Sequence, residues 1–98
     1  MSLLDWLTGP KHEDRAEIAR AYGKVERTSA NYENGVVLFD EEILDREELA
    51  LRGKNLLDAI KEYEQKVPAR TRRLIEGTAP TFRKTEERVK KYLETSSP

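Results

Sequence analysis

Few residues in this chain could carry acid, base or metal chemistry. His12 is the single histidine, and it lies beside Glu13 and Asp14. Cysteine is absent, which excludes disulfides, thiolate metal sites and a cysteine nucleophile. One histidine cannot form a histidine pair or a Cys/His ligand set within one chain. We interpret His12 as a solvated residue in a charged helix start.

The acidic pairs Glu41-Glu42 and Glu47-Glu48 are the remaining candidates for metal chemistry. They lack the alternating acids and the central glycine of a calcium-binding loop, so we interpret them as solvated helix starts. The five glycines are isolated, and none belongs to a phosphate loop or to a nucleophile turn. We therefore expect no enzyme activity, no cofactor, no metal site and no small-molecule substrate.

The composition indicates one small domain with little core material. The chain has 98 residues, of which 37% are hydrophobic and 38% are charged, and its net charge is -1. Typical domains are about 45–50% apolar and about 25% charged. No apolar stretch approaches the about 18 residues of a membrane span, and no signal peptide is visible. We expect a single helical domain over residues 1–98 in a soluble, cytoplasmic protein.

Charge is distributed unevenly along the chain. Residues 41–65 carry eight acids and four bases, whereas residues 66–98 carry four acids and nine bases. This asymmetry has two interpretations: the basic part meets an anionic partner such as nucleic acid, or it pairs with the acidic part in the same chain or in another copy. The residues of the basic patch are Arg70, Arg72, Arg73, Arg83, Lys84, Arg88, Lys90 and Lys91.

A helix-turn-helix outline gives the nucleic-acid interpretation its main support. A short helix, a turn containing Gly77 and a basic helix follow one another, as in that motif. However, the turn from Gly77 to Thr81 is longer than the motif uses, and Glu86 and Glu87 would repel phosphates. Nucleic-acid binding is therefore the alternative function.

An apolar segment precedes the first helix. It contains Leu3, Leu4, Trp6 and Leu7, at the spacing of helical anchors, and it ends at the chain breaker Gly9-Pro10. Tryptophan is enriched at binding hot spots, so we interpret these four residues as a partner-docking element. The alternative is that residues 1–10 fold back over one end of the helices.

The first long helix is predicted from apolar residues spaced four and three apart. This stripe runs from Ile18 to Ile43, but Asn34-Gly35, a strong turn signal, interrupts it. We expect the helix to end or kink there, with residues 36–39 buried. Two alternatives remain for residues 36–39: the helix continues through Gly35 at a cost of about 1 kcal/mol, or they form a short strand.

Three further helices are predicted after residue 40. Asp40 and Asp45 are both candidate N-caps of the second helix, Asp45 with Glu48 has the spacing of a capping box, and Pro68 ends the helix. Gly53 lies on the apolar stripe of that helix and would allow a neighbouring helix to approach closely. A short helix from about residue 69 closes at Gly77, a basic helix covers about residues 80–94, and residues 95–98 form a frayed polar tail.

The pattern predicts an all-α protein. Two long amphipathic helices form an antiparallel hairpin, and a short helix and a basic helix complete a helical bundle, either in one chain or by dimerisation. The function we expect is a non-enzymatic protein-interaction or assembly module that self-associates. The residues predicted for the packing and self-association seam are Ile18, Tyr22, Val25, Tyr32, Leu49, Leu56, Ile60 and Tyr63.

Overall fold

The described part of the chain is entirely helical apart from its short connections. A computed structural model describes residues 12–78 and 82–96, and these form four helices. Their bounds are α1 His12–Asp40, α2 Arg46–Lys66, α3 Ala69–Thr78 and α4 Phe82–Ser96. This confirms the predicted fold class. The apolar segment at residues 1–10 lies outside the described residues.

Helices α1 and α2 form the antiparallel hairpin and share the most extensive helix contact. Near the start of α1, Glu17 pairs with Lys66 at the end of α2 (3.4 Å). Further along α1, the Arg52 guanidinium donates to the backbone carbonyl of Asn31 (2.9 Å). Since residue numbers rise along α1 as they fall along α2, the two helices run in opposite directions.

The ends of α2 follow the sequence signals. The backbone N–H of Glu48 donates to Oδ1 of Asp45 (2.8 Å), which makes Asp45 the N-cap. At the other end Val67 has an extended backbone, because the residue before Pro68 is pushed out of the helical region. Of the two candidate N-caps the helix uses Asp45 and not Asp40, and the predicted end before Pro68 is confirmed.

The predicted break at Asn34-Gly35 is wrong, because α1 continues through it to Asp40. Gly35 does not have a positive φ, and it lies where α2 is in close contact. A Cβ built on Gly35 would lie 2.9 Å from Cδ of Arg52 and 3.1 Å from Cδ1 of Leu49. The glycine therefore makes room for α2 rather than for a turn.

Helix α1 instead ends in a Schellman motif five residues later. The N–H of Glu42 donates to the carbonyl of Phe39, and the N–H of Ile43 donates to that of Leu38. Glu42 takes the left-handed conformation of this motif, with a φ of 62°. Residues 36–39 are thus helical and not fully buried, since Val37 is 58% exposed.

Helix α4 packs into the hairpin on one side and runs antiparallel to α2. Its first residue, Phe82, contacts the ring of Tyr63, and the Tyr92 hydroxyl donates to the carbonyl of Arg46 (3.3 Å). Between these points Gly53 allows close approach: a Cβ there would lie 2.9 Å from Cγ1 of Val89. The predicted role of Gly53 is therefore confirmed.

Two predicted boundaries near the end of the chain need correction. Helix α3 includes Gly77 and ends at Thr78, because Gly77 keeps a helical φ. The predicted frayed tail begins too early, since Thr95 and Ser96 belong to α4. The Thr95 hydroxyl donates to the carbonyls of Lys91 (3.1 Å) and Tyr92 (3.0 Å), which satisfies the last turn.

Candidate interaction surfaces

The residues predicted for the packing and self-association seam lie in the core of a single chain. Seven of the eight are buried and Tyr22 is partly buried against them. Phe82 and Val89 of α4 cover them from the third side. A role of these residues in self-association stays a prediction, and in the single chain their side chains are covered by one another and by α4.

An aromatic cluster of Tyr22, Tyr63 and Phe82 brings together side chains of α1, α2 and α4. The rings of Tyr63 and Phe82 meet edge to face at 5.6 Å, and Tyr22 completes the cluster. The Tyr63 hydroxyl donates to Oε2 of Glu76 on α3 (3.0 Å). Burial raises the pKa of Tyr63 well above its ordinary value, and the hydrogen bond to the Glu76 carboxylate raises it further. Tyr63 is therefore a neutral donor that anchors α3.

Arg83 is the centre of an ion-pair network that connects three helices. Its Nε donates to Oε1 of Glu76 (2.9 Å), and its Nη1 reaches Glu64 (3.2 Å) and Glu86 (3.1 Å). The guanidinium also lies 4.8 Å from the centre of the Phe82 ring. The hydrogen bond to Glu76 raises the pKa of Arg83, and the hydrogen bond from Arg83 lowers the pKa of Glu76. The network fixes α3 and α4 against α2.

Half of the predicted basic patch is neutralised by carboxylates of the same chain. Besides Arg83, three of its members form ion pairs: Arg72 with Glu64 (3.7 Å), Arg88 with Glu33, and Lys90 with Glu86 (3.3 Å). The other four are exposed and form no ion pair with any described residue. They are Arg70, Arg73, Lys84 and Lys91.

An open groove of about 700 Å³ lies between α1 and α4. Lys84, Arg88 and Lys91 line it from α4, but Glu33 and Glu87 line it as well. Arg88 already pairs with Glu33, and the Thr85 hydroxyl donates to the same carboxylate (2.9 Å). The groove therefore has mixed charge and is not a purely cationic channel.

The connection between α1 and α2 carries the densest negative charge of the described chain. Residues 40–48 contain six acids and a single base, Arg46. None of these acids forms an ion pair with a described residue, although Asp45 caps α2. Ile43 lies among them and is 71% exposed.

Sequence reasoning placed Ile43 on the buried stripe and missed this surface. The heptad spacing continues to Ile43, but the helix that would bury it has already ended. The available signal was the pair of apolar residues between Glu42 and Asp45, of which Leu44 packs against the core and Ile43 stays exposed.

The remaining predicted features either lie outside the described residues or correspond to no site among them. The docking element at Leu3, Leu4, Trp6 and Leu7 precedes the described residues, and the side chain of His12 is not described. Within residues 12–78 and 82–96 no group of three or more potential ligands could hold a metal ion. None of the described helices is long and apolar enough to span a bilayer.

Comparison with known proteins finds no match for this chain. No protein-family model matches it, and no curated protein and no solved structure is significantly similar to it. A function for the chain therefore has to be argued from its own geometry.

Proposed function

We propose that this chain is a non-enzymatic helical module that acts through protein–protein contacts and associates with copies of itself. The observation that carries the proposal is the segregation of unpaired charge on its surface. Acids that form no ion pair with a described residue concentrate at residues 40–48, whereas Arg70 and Arg73 on α3 are bases that form none with the described part of the chain. Complementary charged surfaces favour specific encounter between proteins and fix their orientation.

Exposed apolar side chains provide the second support. Val37, Ile43 and Leu51 are each more than half exposed, whereas most other large apolar side chains of the described residues are buried or pack against the core. Single exposed apolar residues are common on protein surfaces. Ile43 is distinctive because unpaired carboxylates surround it in sequence, so burying it in an interface would place those carboxylates opposite a partner.

The grooves of the described surface favour contact over catalysis. Those between α1 and α4 and between α1 and α2 are open and are lined mainly by charged and polar side chains. Catalytic sites instead hold their polar groups in a concave, largely apolar pocket that excludes water.

The solution mass tests the proposal directly. Size exclusion coupled to light scattering would be run over a range of protein concentrations, at low and at high salt. We expect the mass to rise above the 11.4 kDa of one chain as concentration increases at low salt, and to fall back at high salt. A mass of 11.4 kDa under every condition would contradict the proposal.

Nucleic-acid binding is a second candidate, supported by Lys84 and Lys91 on α4, which are exposed and form no ion pair within the described residues. Phosphate contacts by such side chains would make binding to a DNA duplex steeply salt-dependent. Titration of a duplex at two salt concentrations, with wild type and with Lys84→Ala/Lys91→Ala, tests it. Binding that weakens in the variant and collapses with salt supports this candidate, and no binding at low salt excludes it.

A further inference from the structure

The Schellman motif that ends α1 leaves a small apolar surface at one end of the bundle. In this motif the residue after the left-handed position donates its N–H to the third residue from the helix end, here Ile43 to the carbonyl of Leu38 (2.9 Å), and apolar residues are common at these two positions. Leu38 is partly buried but is not packed against the core, and Ile43 is 71% exposed. We call Leu38, Glu41, Glu42 and Ile43 the turn surface.

The turn surface is negatively charged without compensation. Elsewhere on the hairpin four carboxylates are neutralised within the chain: Glu17 by Lys66, Glu33 by Arg88, Glu62 by Lys24, and Glu64 by Arg83. Glu41 and Glu42 form no such pair with any described residue. Like charges held this close repel one another, so a cationic partner surface would lower the energy of this end.

The opposite end of the bundle carries the complementary charge. Residues 66–73 contain four bases and no acid. Pro68, Ala69, Arg70 and Arg73 are all exposed, and the two arginines form no ion pair with a described residue. The first turn of α3 contains no acidic residue, so nothing on the helix offsets the positive end of its dipole. We call Pro68, Ala69, Arg70 and Arg73 the α3 surface.

The two surfaces lie at opposite ends of an elongated body. The protein measures 48 × 20 × 20 Å. The turn surface follows the end of α1, whereas α3 follows the end of α2, and the two long helices are antiparallel. Helix α1 alone is about 43 Å long at 1.5 Å per residue. The surfaces therefore cannot meet within one chain, but they can meet between two chains.

We propose that copies of this chain associate end to end, with the turn surface of one copy on the α3 surface of the next. Ile43 and Leu38 then pack against Pro68 and Ala69, while Glu41 and Glu42 face Arg70 and Arg73 of the other copy. Because the two surfaces differ, the contact is heterologous and is able to repeat along a line of molecules. The inference rests on the proposed self-association and specifies its surfaces.

The size of the contact sets its strength. An end face of 20 × 20 Å would bury about 400 Å² on each copy, or about 800 Å² in total, which is below the about 1,000 Å² of a stable interface. The association is therefore weak, visible only at high protein concentration, and sensitive to salt because its charges are exposed.

Charge reversal at either surface tests the proposal by solution mass. Glu41→Lys/Glu42→Lys reverses the turn surface, and Arg70→Glu/Arg73→Glu reverses the α3 surface. Each variant alone is expected to keep the mass of one chain at a low-salt concentration where wild type is larger. Circular dichroism and thermal melting of each variant establish that it is folded.

Combining the two reversals distinguishes this contact from a general effect of charge. The fourfold variant again carries opposite charges on the turn surface and the α3 surface, and it is expected to regain the wild-type mass. An equimolar mixture of the two double variants is expected to do the same. If either double variant assembles as wild type does, or if the fourfold variant and the mixture remain single chains, the proposal is overturned.

Matched controls carry the same charge change elsewhere on the molecule. Glu87→Lys/Glu94→Lys, at exposed acids of α4, matches the reversal of the turn surface. Lys54→Glu/Lys61→Glu, at exposed bases of α2, matches that of the α3 surface. Both controls are expected to assemble as wild type does, and loss of assembly in both would overturn the proposal.

Failure of the proposed function and failure of this inference give different results. Wild type whose mass never exceeds that of one chain would overturn the proposed function itself, whereas assembly unaffected by charge reversal overturns only the end-to-end mode.

Discussion

Glu42 occupies a backbone position that glycine normally fills. Its φ of 62° brings the Cβ close to the following carbonyl oxygen, a cost of about 1–2 kcal/mol for a residue other than glycine. Glu42→Gly should therefore raise the free energy of unfolding by about 1 kcal/mol, measured by urea denaturation.

The variant Glu42→Gln separates the backbone effect from the charge. It removes the same negative charge but keeps the Cβ in the strained position. We expect it to recover less than half of the gain of Glu42→Gly. If the two variants stabilised the protein equally, Glu42 would be destabilising through charge repulsion and not through its left-handed backbone.

Two helical glycines should respond in opposite directions to substitution by alanine. At Gly53 the added Cβ would lie 2.9 Å from Val89 and 3.4 Å from the Tyr32 ring, so Gly53→Ala should destabilise the protein by about 1–3 kcal/mol. At Gly23 it would meet only the end of the Arg27 side chain at 3.5 Å, so Gly23→Ala should stabilise α1 by up to about 1 kcal/mol. Thermal melting measures both changes. A tolerated Gly53→Ala would contradict the packing of α4 on the hairpin.

These glycines also show where sequence reasoning succeeds and where it fails. The apolar stripe of α2 correctly assigned Gly53 to a close approach between helices. Asn34-Gly35 resembles a turn in sequence, but its glycine serves the same kind of close approach, while the actual helix end uses Glu42. The left-handed position at residue 42 has no glycine or asparagine to mark it, so propensity could not locate it.

At the scale of helices, α3 and α4 depend on the carboxylate of Glu76. The hydrogen bond from Arg83, together with that from Tyr63, lowers the pKa of Glu76 below its ordinary value of 4.5. Because the folded state holds this proton less tightly than the unfolded chain, the stabilisation is complete above about pH 5 and is lost as the pH falls through the folded pKa.

Glu76→Gln should therefore lower the free energy of unfolding at neutral pH. It should also make the free energy of unfolding less dependent on pH in the acid range. A charged hydrogen-bond pair of this kind contributes about 1–2 kcal/mol after allowance for partial exposure. The measurement is urea denaturation from pH 7 to pH 3. Glu87→Gln, at an exposed acid that forms no ion pair with a described residue, serves as the control and should follow the wild-type profile. If Glu76→Gln loses stability on acidification as steeply as wild type, the network does not depend on this carboxylate.

The helices themselves were largely predictable, but their cross-connections were not. Asp45 and Pro68 mark the ends of α2 because caps and proline act through their nearest neighbours in the chain. Arg83 finds partners 7 and 19 residues earlier, and Arg88 finds one 55 residues earlier. No local pattern encodes such pairings, so which basic residues remain unpaired could be learned only from the fold.

At the scale of the whole molecule, the sequence left open whether one chain closes its own core. A hairpin with an apolar stripe fits a dimeric four-helix bundle as well as a monomer with α4 on one side. The structure packs Phe82 and Val89 of α4 onto that stripe within one chain. Self-association, as proposed here, therefore uses the ends of the body rather than its core.

Small-angle X-ray scattering of wild type at increasing concentration and low salt tests the proposed self-association most directly, because it reports mass and shape together. A single chain has a radius of gyration of 15.5 Å over its Cα atoms. We predict that forward scattering and radius of gyration both rise with concentration while the cross-section of the particle stays near 20 Å, and that high salt reverses the change. Scattering that fits an isolated chain at every concentration would contradict the account.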